Sequence, residues 1–211
     1  MMKNFLLAIL IFFTSTAFTV EPKPGVNFKQ TKEIIATDSP GKIEVIEMFW
    51  YGCIHCFNFD PYLDKWADNL PKDIVFKRVP AIPRKDWVPM AKAFYALETL
   101  ELEHKLHEKL FDAIHKDKVV DPASEMSAIS WIAVNGKKDL NEVKDAFNSF
   151  SMKSKLSNSF KMFKAAGATG VPAIIIDGRY LTSTTMAGGE KNTLQLMDYI
   201  IKNVRADKAK K

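Results

Sequence analysis

Cysteine is nearly absent: the 211 residues contain two, Cys53 and Cys56, in the run Cys53-Ile54-His55-Cys56. A structural disulfide normally ties distant parts of an exported chain together. A bridge here closes a loop of about four residues, and the chain-entropy relation then gives only about 2 kcal/mol, against about 5 kcal/mol for a loop of about a hundred. The pair is a poor staple, so chemistry is the better reason for it. Charge of either sign is also unclustered. The net charge is +5, and the lysines are scattered apart from the last few, Lys208, Lys210 and Lys211. A nucleic-acid binder needs a concentrated basic face, which is missing. Internal repeats and low-complexity linkers are absent too. Apolar residues are plentiful: they make up 47% of the chain, with 15 Phe and 4 Trp. That suffices for a core without a metal or a disulfide to hold it.

The one markedly apolar run lies at the start. Lys3 is the sole charge before Glu21, and Phe5 to Phe13 (FLLAILIFF) is followed by the small and polar Thr14-Ser15-Thr16-Ala17. A basic start, a short apolar stretch and a small-residue exit describe a secretory signal peptide over residues 1–17, with cleavage after residue 17 or 19. The run is short for a bilayer. The remainder is expected to be a soluble, exported protein that meets an oxidising compartment.

Residues 18–41 form a lead-in. Lys42 to Tyr51 (KIEVIEMFWY) has apolar residues at both parities, as a strand buried on both faces does. After Gly52, the spacing of Phe57, Tyr62, Leu63, Trp66 and Leu70 predicts a helix to about Asn69, with Pro61 inside it and Pro71 beyond it. Asp73 to Val79 reads as a second strand. Residues 86–166 carry helix signals for four or five helices, including Asp121-Pro122 as a helix start, Gly136 as a stop, and Asp139 with Glu142 as a capping box. Strand signals return at Val171 to Ile176. Asp177-Gly178 then predicts a hairpin leading into Arg179 to Thr182, and a last helix runs from about Glu190 to Val204. The order is that of an α/β domain, residues 18–85 and 167–211, split by an all-helical insertion, 86–166.

Three features carry chemistry. Cys53 stands where a strand gives way to a helix, and the unpaired N–H groups and partial positive charge of a helix start favour its thiolate. Cys56 is one turn deeper on the same face, within reach for a disulfide, and His55, when cationic, adds positive charge. Glu47 sits in mid-strand among Ile46, Met48, Phe49 and Trp50, where a carboxylate is costly without a role. Its position suggests that it accepts or relays the proton of Cys56. Its bland alternative is a strand edge that lets it, like Glu44, reach solvent. Gly170-Val171-Pro172 opens a strand at a position that proline tolerates. If that turn abuts the cysteines, the backbone of Val171 is available to an extended substrate segment.

These runs, Glu47 to Cys56 (EMFWYGCIHC), Gly170-Val171-Pro172-Ala173 with Asp177-Gly178-Arg179-Tyr180, and the helical stretch between them, resemble the thiol:disulfide interchange protein DsbA family, in which a thioredoxin-like fold is interrupted by a helical domain. The resemblance implies that Cys53 is the attacked thiol and Cys56 its buried partner. It likewise implies His55 as the thiolate-stabilising histidine, Glu47 as the buried acid, Pro172 as a cis-proline facing the disulfide, and Val171 as a substrate contact. It also implies a periplasmic enzyme without a cofactor that donates its disulfide to reduced, unfolded secreted proteins. A membrane partner resembling DsbB would recycle it. The family usually has Pro-His between the cysteines, and here Ile54-His55 stands there, which bears on oxidising strength and places a larger apolar contact at the mouth of the site.

Two other readings remain. A disulfide isomerase or reductase would use the same cysteines, but isomerases of the DsbC type add a dimerisation domain for which the lead-in is too short, so a monomer is expected. A thioredoxin-like metal-binding module would hold metal through Cys53 and Cys56. A zinc site needs two further ligands. His104 and His107, three apart on a lysine- and glutamate-rich helix, are the sole spaced pair and are expected to be solvated.

Overall fold

The computed structural model describes residues 21–210, so the expected signal peptide lies outside the described residues. Five strands form one sheet in the order β1-β5-β4-β2-β3. They are β1 (Lys29–Gln30), β2 (Ile43–Phe49), β3 (Ile74–Pro80), β4 (Ala173–Ile176) and β5 (Tyr180–Ser183). β2 runs parallel to β3 and antiparallel to β4. The parallel pair requires a crossover, and α1 (Ile54–Ala67) provides it. Between β3 and β4 lie α2 (Val88–Thr99), α3 (Glu103–His115), α4 (Glu125–Gly136), α5 (Leu140–Phe147) and α6 (Met152–Ala166); after β5 come α7 (Thr184–Ala187) and α8 (Glu190–Lys208).

Every residue of β2 is buried, which explains its apolar residues at both parities. Ile43 and Val45 pack with Phe59 and Leu63 of α1 and with α8. Ile46 and Met48 face the other way, against Ile175 and the α6 side chains Met162 and Phe163. Phe49 and Tyr51 enter a third cluster with α2, α3, α4 and α5. The strand end that leads into the cysteines is therefore shared between the sheet and the helical lobe.

Several local signals resolve differently from expectation. α4 ends with Lys137, not Gly136, in the left-handed conformation (φ 54°). Gly136 is needed for space, since a Cβ there would stand 2.7 Å from Leu102 Cδ1. Asp121-Pro122 starts no helix: Asp121 Oδ1 accepts from the Ala123 N–H at 2.9 Å within a turn, and Ser124 caps α4 three residues later. Asp139 does cap α5, but Glu142 pairs with Lys138 instead of reaching back. Asp177 and Gly178 both have positive φ, and Arg179 belongs to the turn rather than to β5, because its N–H donates to Ile176 O at 3.1 Å. The short α7 had no sequence signal, and α8 runs four residues past Val204 to Lys208.

Candidate active site

β2 ends at Phe49, and the chain turns through Trp50, Tyr51 and Gly52 into α1, with the Cys53 N–H donating to Trp50 O at 2.9 Å. Gly52 is required there: a Cβ would meet the Trp50 ring at 2.4 Å, and that ring is stacked at 4.3 Å on Trp87. The turn is anchored from the helical lobe as well. His115 Nε2 donates to the Tyr51 carbonyl at 2.7 Å while its ring stacks on Phe57 at 4.9 Å.

Cys53 is the N-cap residue of α1, and Cys56 lies in its first turn, wholly buried; both are thiols. The two sulfurs have opposite environments. A hydrogen bond from Cys56 lowers the Cys53 thiol to about 6; burial opposes this, while the backbone amides of Cys56 and His55 and the His55 charge assist it. Burial pushes the Cys56 thiol well above its ordinary value, and the neighbouring Cys53 and Glu47 push it the same way. His55 and Ile54 are exposed on the outer side of this turn. The Val171–Pro172 peptide bond is cis, and the Val171 carbonyl accepts from Cys53 Sγ at 3.5 Å. Residues 53, 55 and 56 and residues 171 and 172, far apart in sequence, thus come together at one end of the adjacent central strands β2 and β4. Beside them a groove of about 220 Å³ runs between Gly167–Ala173 and Leu181–Met186.

Glu47 is 1% exposed, so the expectation of burial holds and the solvated alternative does not. The comparison with Glu44 needs correcting: it too is buried, at 2%, with Lys77 as its ion-pair partner. Glu47 sits opposite Arg78 in the β2–β3 register, and Arg78 Nε donates to its Oε2 at 3.3 Å. Burial pushes Glu47 up to about 8, against the pull of Arg78.

Sequence reasoning missed the groups around Arg78. Arg78 Nη2 also donates to Asp60 Oδ1 at 3.1 Å and to Asp64, both on α1. Asp60 Oδ1 accepts from His107 Nε2 at 3.1 Å, and His107 Nδ1 meets the Tyr51 hydroxyl at 2.7 Å. The expectation of solvated histidines therefore holds for His104, whose side chain is fully exposed, and fails for His107, which is 4% exposed. The pair is not available as a metal-ligating unit, because His107 already has two partners inside the core. Asp60 is disguised by its place before Pro61, between the apolar positions Phe57 and Leu63, where a lone acid reads as a solvated helix residue. Arg78, in Phe76-Lys77-Arg78, looked like an outward strand residue.

A thiol lowered to about 6 at a helix start, three residues from a thiol raised by burial, has the chemistry of a dithiol–disulfide couple. Known proteins agree. Residues 61–200 match the profile of DSBA-like thioredoxin domains. The chain is 38% identical to the thiol:disulfide interchange protein DsbA of Azotobacter vinelandii over 185 residues, which is 87% of this chain and 85% of that one. The Pseudomonas aeruginosa DsbA is 35% identical over 203 residues, 95% and 94% of the two chains. A crystal structure of Pseudomonas aeruginosa DsbA superposes with a TM-score of 0.82 at 34% identity, covering 90% of this chain and 97% of that one. The chain belongs to the DsbA family, the thiol:disulfide oxidoreductases with a DSBA-like thioredoxin domain.

Proposed function

We propose that the protein acts as an oxidant, donating a Cys53–Cys56 disulfide to reduced, unfolded proteins exported to the periplasm. The observation that carries this direction is the contrast between the sulfurs: Cys53 lowered to about 6 at the helix start, Cys56 raised by burial. A stabilised thiolate favours the reduced form and so makes the disulfide a strong acceptor of electrons.

In the first step a substrate thiolate attacks Cys53 Sγ. The Cys53–Cys56 bond breaks, a substrate–Cys53 disulfide forms, and Cys56 departs with the electron pair. Its buried sulfur takes a proton from Glu47, which is protonated below about 8 and becomes carboxylate. A second substrate thiolate then attacks the substrate's sulfur in the mixed disulfide. Cys53 leaves as thiolate, and the substrate retains the new disulfide. His55 supports the Cys53 thiolate with its charge. The cis turn at Val171–Pro172 and the exposed Ile54 flank the sulfur, where an extended segment of substrate can lie.

Residues 1–17 would direct export and be removed, and a membrane partner of the DsbB type would reoxidise the dithiol. Among the described residues no helix is long and apolar enough to cross a membrane. Sheet, α1, α7 and α8 form the redox domain in this reading, and residues 86–166 the helical insertion that buries Tyr51 and Cys56. The deciding experiment is the redox equilibrium of the pair against glutathione. A strongly oxidising pair supports the donor role, and one as reducing as thioredoxin reverses it.

A further inference from the structure

The exchange mechanism leaves unused the side chain that reaches the active-site turn from the insertion. The segment 51–57 contains both cysteines, and His115, the last residue of α3, touches its two ends. At one end its Nε2 donates to the Tyr51 carbonyl at 2.7 Å. At the other its ring lies on Phe57 at 4.9 Å and 21° from parallel. The Phe57 N–H in turn donates to Cys53 O at 3.0 Å. Phe111, one turn earlier in α3, packs edge-on against the Tyr51 ring at 4.8 Å. Tyr51 is buried, and among the described residues no backbone N–H donates to its carbonyl. Without His115 that acceptor is an orphan, and an orphaned buried carbonyl is costly. A carbonyl only accepts, so Nε2 carries the hydrogen.

We propose that His115 is a positioning residue for disulfide exchange: it clamps both ends of segment 51–57 and so keeps the first-turn amides of α1 on the Cys53 sulfur when no disulfide does. This rests on the exchange reading above. In the disulfide form the S–S bond itself ties Cys53 to Cys56. In the dithiol form that tie is gone. The hydrogen bonds that favour the Cys53 thiolate, from Cys56 and from the amides of Cys56 and His55, then depend on the turn alone. Such bonds are directional and weaken steeply when misaligned. Loss of the clamp therefore costs the dithiol more than the disulfide, and the pair becomes a weaker oxidant. A role confined to packing would lower the stability of both forms alike and leave their equilibrium in place.

The test is the equilibrium of the Cys53–Cys56 pair with glutathione in the full-length mature protein and its variants, each also unfolded in urea. His115→Ala loses both contacts and should be less oxidising by about fivefold, the order of one hydrogen bond's net worth. His115→Phe retains the ring but not the donor and should fall with it. His115→Gln retains an N–H donor and should recover most of the wild-type equilibrium. Gly41→Ala, at the far end of β2, should lower stability without moving that equilibrium. A wild-type or more oxidising equilibrium in His115→Ala or His115→Phe, or a loss in His115→Gln equal to theirs, overturns the proposal. Should His115→Ala not fold, His115→Phe and His115→Gln decide by the same criteria. The unaltered protein separates this from the exchange reading. If its pair is as reducing as thioredoxin, the donor reading fails; if it is strongly oxidising and the variants share its value, only the positioning proposal does.

Discussion

Cys53 and Cys56 are three positions apart and chemically unlike. One ends a strand-to-helix turn with amides and a cationic side chain around it; the other is sealed beneath Phe49, Phe94 and the helical lobe. Cys53→Ser is therefore expected to abolish exchange, since the accessible sulfur that substrate attacks is gone. Cys56→Ser should instead accumulate substrate–Cys53 mixed disulfides, visible as thiol-sensitive adducts on a non-reducing gel. Adducts in Cys53→Ser and none in Cys56→Ser would invert the roles. Absorbance of the thiolate in the reduced protein should rise with a midpoint at about 6. A midpoint like that of an ordinary thiol removes the basis of the donor role. The cysteines and Glu47 were legible because each breaks a local rule, a cysteine pair too close to staple or a carboxylate inside an apolar strand. Asp60, Arg78 and His107 break no local rule. Each looks like an ordinary surface charge until the fold stacks β3, α1 and α3 around Glu47.

At the scale of elements, periodicity locates α1, β2 and β3 well, because burial on both faces of β2 leaves an apolar residue at every parity, whereas the two-residue, exposed β1 within the lead-in carries no such signal. The element ends were less legible. A left-handed residue at a helix end is usually glycine, yet Lys137 takes that conformation while Gly136 yields space to Leu102. That exchange depends on a neighbour from α3's lead-in, which no local reading contains. The hairpin after β4 makes a sharper case. Gly178 has φ 65°, and a Cβ there would lie 1.9 Å from Ile35 O, which belongs to the lead-in. Gly41 has a similar φ of 76° but nothing within 4 Å. Gly41→Ala should thus cost only the left-handed penalty of about 1 kcal/mol. Gly178→Ala should cost roughly 3 kcal/mol or more, because backbone must also move. Urea unfolding midpoints compare the two directly. Equal losses would mean that the lead-in is not packed against the hairpin.

For the whole molecule, the consequence of the Cys53 environment is a pH-dependent difference in stability between the dithiol and disulfide forms. In the unfolded reduced chain the Cys53 thiol ionises near 9.0; in the folded one it ionises at about 6. Between those values the unfolded state holds a proton that the native state has released, so native stability rises with pH. The contribution is complete above about 9 and fades as pH falls through about 6. Cys56 acts oppositely and later. Its folded value is raised well above 9.0, so beyond that pH the unfolded state is the one that has lost the proton, and stability declines. Groups distant from the sulfurs have the same surroundings in both redox forms, and their pH dependence cancels in the difference. Denaturant unfolding of the two forms across pH should therefore give a difference that grows in favour of the dithiol from about 6, peaks near 9 and then turns over. A difference that stays flat from 6 to 9 would mean that folding does not favour the Cys53 thiolate, and a protein whose fold is indifferent to that charge has no thermodynamic reason to surrender its disulfide.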